Sequence, residues 1–423
     1  MSFHLTIPRS VALLAAAALT VGVLTSPGTQ AVERHEGDPA STRAQVVRDW
    51  NAVAVRTIVT ENAAPPGVAQ IYLGFVSSAV YDAVRSVRLG QASQPAAVGT
   101  AAHDVLAEYF PASEANLAAD LETLLADIPD GKREDRGIAA GAAAANRLIA
   151  SRVDDGRDDT SITLDVPPAP GVWRPTPPAF LPMATPWVGF MRPLLLPSPT
   201  SVDLGRPDRL TSKQYAADYA EVEDLGALDS TTRTPAGTEN ALFWNFSVPV
   251  LFNTAVRDWA AEQTLSARAT ARGLALLNMT VTDAYITCWR AKYDQPFWRP
   301  ITAIREGDTD GNPATIADPT WTPLIDTPPY PDWPSGHGCL TSTYLRGLWH
   351  LTGTHALDLT ITNPVMGLSR QYTSAATLAR DAFISRIQLG IHFRDAMADS
   401  YRAGRLASDR GVAIFRDRFG RGG

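Results

Sequence analysis

The sequence predicts an all-α protein, helical bundles in two lobes joined by long proline-rich connections. Three observations carry that expectation. Apolar residues recur with helical spacing over residues 44–87, 101–150 and from 211 onward. Little in the first half alternates with the period of two that a half-buried strand needs. Proline is gathered into residues 167–199 and 296–334, where regular helix is excluded, and is sparse between them.

Taken in order, Met1 to Arg9 is weakly positive, Val11 to Leu24 is apolar, and Thr29-Gln30-Ala31 offers a small-residue cleavage site. Residues 1–31 therefore read as a signal peptide, and the mature protein is expected to be secreted or extracytoplasmic. No later segment reaches about 18 unbroken apolar residues, so no membrane span is expected in the mature chain. The N-terminal helical lobe, residues 32–166, carries VVRDWNAVAVRTIV and VAQIYLGFVSSAVYDAVRSV, parted by ENAAPPG, then Ala-rich helices broken at FPAS and IPDGK. Residues 167–210 form the proline-rich connection. The C-terminal helical lobe, residues 211–423, resumes helical spacing in DYAEVEDLGAL, from Asn253 to Leu277, and in VTDAYITCWRAKY. Its last helices are expected at Gly338–Leu351 and at Ala375–Leu389, the latter continued by IHFRDAMADSYRAGRLAS.

The net charge of −7 becomes more negative once Arg9 leaves with the leader, which argues against nucleic acid as a partner. Two cysteines exclude a disulfide framework. Lysine is rare, at Lys132, Lys213 and Lys292 only, against an arginine-rich background. A lysine kept in such a chain marks a place where a compact ammonium serves and a planar guanidinium does not.

Three short segments of the C-terminal half concentrate groups that hold a tetrahedral oxyanion. AKYDQPFWRP places Lys292 and Arg299 seven residues apart, and Pro296 is expected to end the helix carrying the lysine. PSGH, residues 334–337, precedes an apolar helical run, so Ser335 and the Gly336 N–H stand at a helix N-terminus, which favours anions. ISRIQLGIH supplies Ser385, Arg386 and His392, with Ser385 and His392 spaced for one helical stripe. Three cations neutralise a phosphate-like trianion, and each arginine can grip two oxygens. One histidine can serve as nucleophile or ligand and the other, His337, as general acid–base.

Lys-x6-Arg-Pro, Pro-Ser-Gly-His and Ser-Arg-x5-His, in that order, resemble the vanadium-dependent haloperoxidases and the related type 2 phosphatidic-acid phosphatases. FWRP followed by TAIR is similar to the haloperoxidase branch, and AVYDA and DAYITCW resemble its soluble bacterial members. Each motif alone is common; three in order are specific. The resemblance implies vanadate as cofactor, or phosphate in a phosphatase. It implies His392 as the metal ligand or phosphorylated nucleophile and His337 as acid–base. Lys292, Arg299, Arg386, Ser335 and the Gly336 N–H would hold oxygens, with Lys292 also polarising peroxide. Partners would be hydrogen peroxide, a halide (bromide, with chloride a further candidate) and a small organic acceptor. The family commonly has an Asp four residues after the ligand histidine; here Asp395, three residues on, is assigned to orient the ring. Trp298, Tyr330 and Trp333 are expected to line the pocket. Cys288 and Cys339 adjoin the motifs, and export permits a disulfide between them, two buried thiols being the alternative.

Other candidates read as structure. His350 and His355 flank a helix end, and His35 and His103 have no partner motif. GDTDGN looks like a calcium loop, but Pro313 occupies the glycine position, so a surface turn is expected. Trp173-Arg174-Pro175 and Ser369-Arg370 repeat fragments of the motifs without their partners. Three functions share the inventory: a haloperoxidase, an acid phosphatase working through phosphohistidine, and a non-catalytic oxyanion-binding protein.

Overall fold

Helix starts are set by short polar side chains. Ser93, Ser212, Thr234, Ser266 and Ser335 each accept a hydrogen bond from the backbone N–H three residues on, satisfying a donor the helix cannot. The computed structural model describes residues 39–88 and 90–420, so the expected signal peptide and His35 lie outside the described residues. The first half holds α1 (Pro39–Val55), α2 (Pro66–Ser86), α3 (Gln94–Tyr109), α4 (Glu114–Ala126) and α5 (Lys132–Ser151). The second holds α6 (Lys213–Gly226), α7 (Pro235–Phe243), α8 (Val248–Glu262), α9 (Ala267–Asp294), α10 (Pro300–Arg305) and α11 (Gly336–Thr352). A hairpin of β1 (Ala356–Asn363) and β2 (Leu368–Ser374) follows, then α12 (Ala375–Gln388) and α13 (Arg394–Phe419).

The fold is all-α apart from that hairpin, which helical periodicity does not anticipate. In β1 the burial alternates toward its end, with Leu359, Ile361 and Asn363 inward. The Ser369-Arg370 fragment lies in β2, where Arg370 pairs with Glu239 and Asn240. The two expected lobes share one apolar core running from Ala44 to Phe415, and Asp38–Gly423 forms one compact unit. The reason is α9, in which every residue from Gly273 to Trp289 is buried. A helix apolar on all sides needs neighbours on all sides, and α2 from the first half and α11 and α13 from the second supply them. Among the described residues no helix is long and apolar enough to cross a membrane.

Polar side chains inside this core are paired across helices. Asn278 of α9 donates to Ser77 Oγ of α2 at 3.0 Å, Asn253 of α8 donates to Asn278 Oδ1 at 3.1 Å, and Tyr344 Oη of α11 donates to Gln70 Oε1 at 2.6 Å. Satisfied buried networks fix a single packing because any shift strands a polar group. Asp283 on α9 does the same for the proline-rich connection. Its carboxylate accepts the N–H groups of Leu194, Leu195 and Leu196 at 2.6, 2.7 and 2.7 Å, giving this irregular backbone the partners it would otherwise lack. Asp283→Ala is expected to cost about 3 kcal/mol, from stranded backbone donors, read as a lower urea midpoint at unchanged m-value.

Candidate active site

The last turn of α9 and the loop after it bring the first two cations inward. Lys292 is 0 % exposed, and Nζ donates to the carbonyls of Pro331 at 2.5 Å and Asp332 at 3.0 Å. Gln295 breaks the helix before Pro296, and Arg299 caps α10 from extended backbone, also 0 % exposed. Its Nε donates to Tyr330 O at 2.7 Å, Nη2 to Pro328 O at 3.3 Å, and Nη1 to Ile391 O. Carbonyl oxygens thus hold both cations at the site's edge. Aromatic faces complete the lining. Trp289, one turn before Lys292, lies 4.3 Å from Tyr285 and 4.9 Å from Tyr330 between ring centroids. The Lys292 ammonium sits 5.1 Å and the Arg299 guanidinium 4.7 Å from the Tyr330 ring centre.

PSGH opens α11. Ser335 is the N-cap; its Oγ accepts from Gly338 N–H at 3.3 Å and its carbonyl from Cys339 N–H at 3.0 Å. The N–H groups of Gly336 and His337 stand at the open end of the helix. Gly336 has a steric reason as well: a Cβ there would lie 2.7 Å from a ring atom of Trp289. The His337 ring meets Trp244 edge-on at 6.4 Å.

The expected stripe of Ser385 and His392 is not formed. α12 stops at Gln388, Gly390 turns the chain at φ 76°, and α13 starts only at Arg394. Ser385 stays in the helix, donating to Ala382 O at 2.7 Å, whereas His392 projects from the turn. His392 Nδ1 lies 2.7 Å from Asp332 Oδ1, and Arg299 Nη1 lies 3.2 Å from Nε2. A carboxylate at Nδ1 fixes the proton there and leaves the lone pair on Nε2. This corrects the assignment of Asp395. Asp395 Oδ2 instead accepts the Asp208 N–H at 3.2 Å, because the helix restarts after the turn and points the carboxylate toward the proline-rich connection.

Burial sets the protonation of this pocket. It lowers Lys292 well below the usual lysine range, with Arg299 adding repulsion, and lowers Arg386 to about 10. His392 falls well below 6.5 through burial and then the neighbouring Arg299, Lys292 and Arg386. His337 does so through burial and Arg386. Both imidazoles are therefore neutral at pH 7. Burial raises Asp332 to about 7 against the attraction of Arg299 and Lys292.

Of the residues read from sequence, Lys292, Arg299, Tyr330, Ser335, Gly336, His337, Arg386 and His392 come from three separate segments that the fold brings together. Trp298 and Trp333 do not line it. Trp298, 0 % exposed, packs with Tyr215, Tyr219 and Ile301. Trp333 is turned away by the backbone and donates its Nε1–H to Asp399 Oδ2 at 3.0 Å. It packs beside Cys288 and Cys339, which are joined in a disulfide. Asp332 was missed although it sits three residues before Ser335 in the same motif; a carboxylate inside a histidine motif was the available signal. Trp289 and Trp244 had no sequence signal beyond being aromatic.

A tetrahedral oxyanion fits these residues. Among the described residues, Arg386 Nε and His337 Nε2 are buried without a hydrogen-bond partner, and a buried guanidinium nitrogen left so is expensive unless an anion meets it.

Fold and site define a class: a helical bundle with a carboxylate-oriented histidine facing buried cations and a helix N-terminus. Residues 272–420 match the family model described as the VCPO second helical-bundle domain. The vanadium chloroperoxidase of Curvularia inaequalis is 28 % identical over 236 residues, 41 % of this chain and 38 % of that protein, so the match spans well under half of the relative. In fold, the chain is similar to the crystal structure of a bacterial vanadium-dependent iodoperoxidase, with TM-score 0.75 and 21 % identity over 88 % of this chain and 96 % of that one. A holo-type bacterial vanadium-dependent chloroperoxidase gives 0.69 and 15 % over 86 % and 94 %. These comparisons support kinship with the vanadium-dependent haloperoxidases, in sequence over residues 272–420 and in fold over most of the chain.

Two outcomes separate the aspartates. Asp332→Asn is expected to weaken orthovanadate binding about tenfold or more, as removing a carboxylate behind a ligating histidine does; calorimetric titration reads it, and Asp395→Asn leaves it unchanged. Burial, then Asp208 and Asp399, raise Asp395 from 3.8 to about 7. The folded state therefore binds the extra proton, and stability falls as pH rises through that window. Asp395→Asn should raise the Tm relative to wild type at pH 8 and leave it unchanged at pH 3.5.

Proposed function

We infer that the protein is an exported vanadium-dependent haloperoxidase, oxidising bromide with hydrogen peroxide to hypohalous acid that halogenates a small organic acceptor. One observation carries the reading: a neutral His392 with its Nε2 lone pair turned toward three buried cations and its Nδ1 set by Asp332. Lys292, Arg299, Arg386, Ser335 and the Gly336 N–H would hold the oxygens of vanadate, and His392 Nε2 would ligate the metal. Bound vanadate supplies Lewis-acid activation of peroxide.

The chain's own groups do the rest. Neutral His337 can take a proton at Nε2 and return it, and the helix N-terminus beside it stabilises negative charge. Lys292, held by two carbonyls, offers its remaining N–H to a bound oxygen and adds positive charge in a water-poor site, where electrostatic attraction is strong. The wall of Tyr285, Trp289 and Tyr330 presents aromatic surface beside these cations, which suits a weakly hydrated halide. Export rests on the leader read in residues 1–31.

The test is bromination of a phenolic dye by the purified protein with hydrogen peroxide, with and without orthovanadate, beside hydrolysis of p-nitrophenyl phosphate. Vanadate-dependent bromination is expected. Hydrolysis inhibited by vanadate, with no bromination, would establish the phosphatase; anion binding without either activity would leave an oxyanion-binding protein. His392→Ala is expected to abolish the activity, by at least about a thousandfold in kcat, and full retention overturns its assignment.

A further inference from the structure

We propose that the Cys288–Cys339 disulfide is a positioning clasp, holding the helix end that carries Lys292 against the helix start that carries Ser335, Gly336 and His337 when no anion is bound. The proposal rests on the oxyanion reading of the site. Cys288 precedes Lys292 by one turn on the same face of α9, and Cys339 is the fourth residue of α11, two after His337. One covalent bond therefore joins the two helix ends that meet at the pocket, with Cα atoms 6.7 Å apart.

Charge explains why such a bond is useful. Lys292, Arg299 and Arg386 are buried and repel one another, and Asp332 only partly offsets them. A bound oxyanion would pull these charges together; without it, Arg299, Arg386 and the positive N-terminus of α11 repel Lys292 and push the end of α9 away from α11. Lys292 lies in the last turn of its helix, where intrahelical carbonyl bonds run out, and its ammonium is held by the carbonyls of Pro331 and Asp332. The next residue, Trp333, packs on the disulfide with Leu204, Ala396 and Ala403. Slack is small here: a Cβ on Gly336 would strike Trp289, and one on Gly338 would strike Ser400 of α13. Any drift of α11 therefore displaces Trp289 and, one turn on, Lys292. The main apolar core contains neither cysteine, so loss of the bridge should spare the fold and loosen the cradle.

The test titrates inorganic orthovanadate, and separately phosphate, by calorimetry into four proteins: wild type, Cys288→Ala/Cys339→Ala, Lys292→Ala, and the triple variant. Far-UV circular dichroism and Tm check folding. Wild type reduced with dithiothreitol, which supplies two electrons and two protons per bridge, then freed of reductant and titrated with phosphate, which thiols do not reduce, is a second bridge-free preparation should the double variant not fold. The expected result is binding about tenfold weaker without the bridge, the loss of pre-organisation. Lys292→Ala should then cost less in the bridge-free background than in wild type, the non-additivity of groups acting through one another. Equal affinity with and without the bridge overturns the proposal. So does an additive cycle, which would make the bridge a general stabiliser with no link to Lys292. Failure of the folded wild type to bind either anion overturns the oxyanion reading itself, and the proposal with it.

Discussion

Three buried cations, only two of them facing the buried carboxylate of Asp332, form the constraint on which the rest of this structure depends. Removing Lys292, Arg299 and Arg386 from water costs several kcal/mol each unless other groups replace the water. The loop at 328–332 and the turn at 391 replace it with carbonyl oxygens around Lys292 and Arg299. Those carbonyls come from proline-rich, non-helical backbone, which is the kind of chain that has carbonyls to spare. Arg386 has no such compensation at Nε, an imbalance that a bound anion would relieve. Burial, reinforced by the same positive field, keeps both histidines neutral, as a ligand and an acid–base group require.

A site of this kind needs a rigid frame, since cations that could move apart would do so. α9 supplies it, buried from Gly273 to Trp289 and cross-linked by the Gln70, Asn253, Asn278 and Tyr344 network. Asp283, farther along α9, anchors the connection at Leu194–Leu196, and the Ala184 carbonyl of the same connection accepts the Trp289 indole N–H at 3.3 Å. The first half of the chain, which carries none of the anion-facing residues, thus packs on the helix that aims Lys292. Its part in the site is indirect, through stiffness.

The apolar groups near the pocket divide into wall and backing. Trp289 and Tyr330 stand beside the cations, while Trp298 and Trp333 lie behind the loops that carry Arg299 and Ser335. Adjacent tryptophans in the motifs look alike in sequence. Backbone direction decides which face each presents.

The sequence by itself determined the helical class, the breaks at proline-rich segments, and the candidate site residues that the fold brings together, because periodicity and short motifs are local. Lys292, Arg299, Ser335, His337, Arg386 and His392 were all legible in that way. Tertiary structure decided what locality cannot. The β1–β2 hairpin depends on a neighbouring helix to cover it, and both halves of the chain contribute to one core because the middle of α9 is buried on every side. Asp332 took the place of Asp395 behind His392 because Gly390 ends one helix and turns the chain before the next begins. A carboxylate sixty residues away in sequence is then nearer the ring than one three residues on.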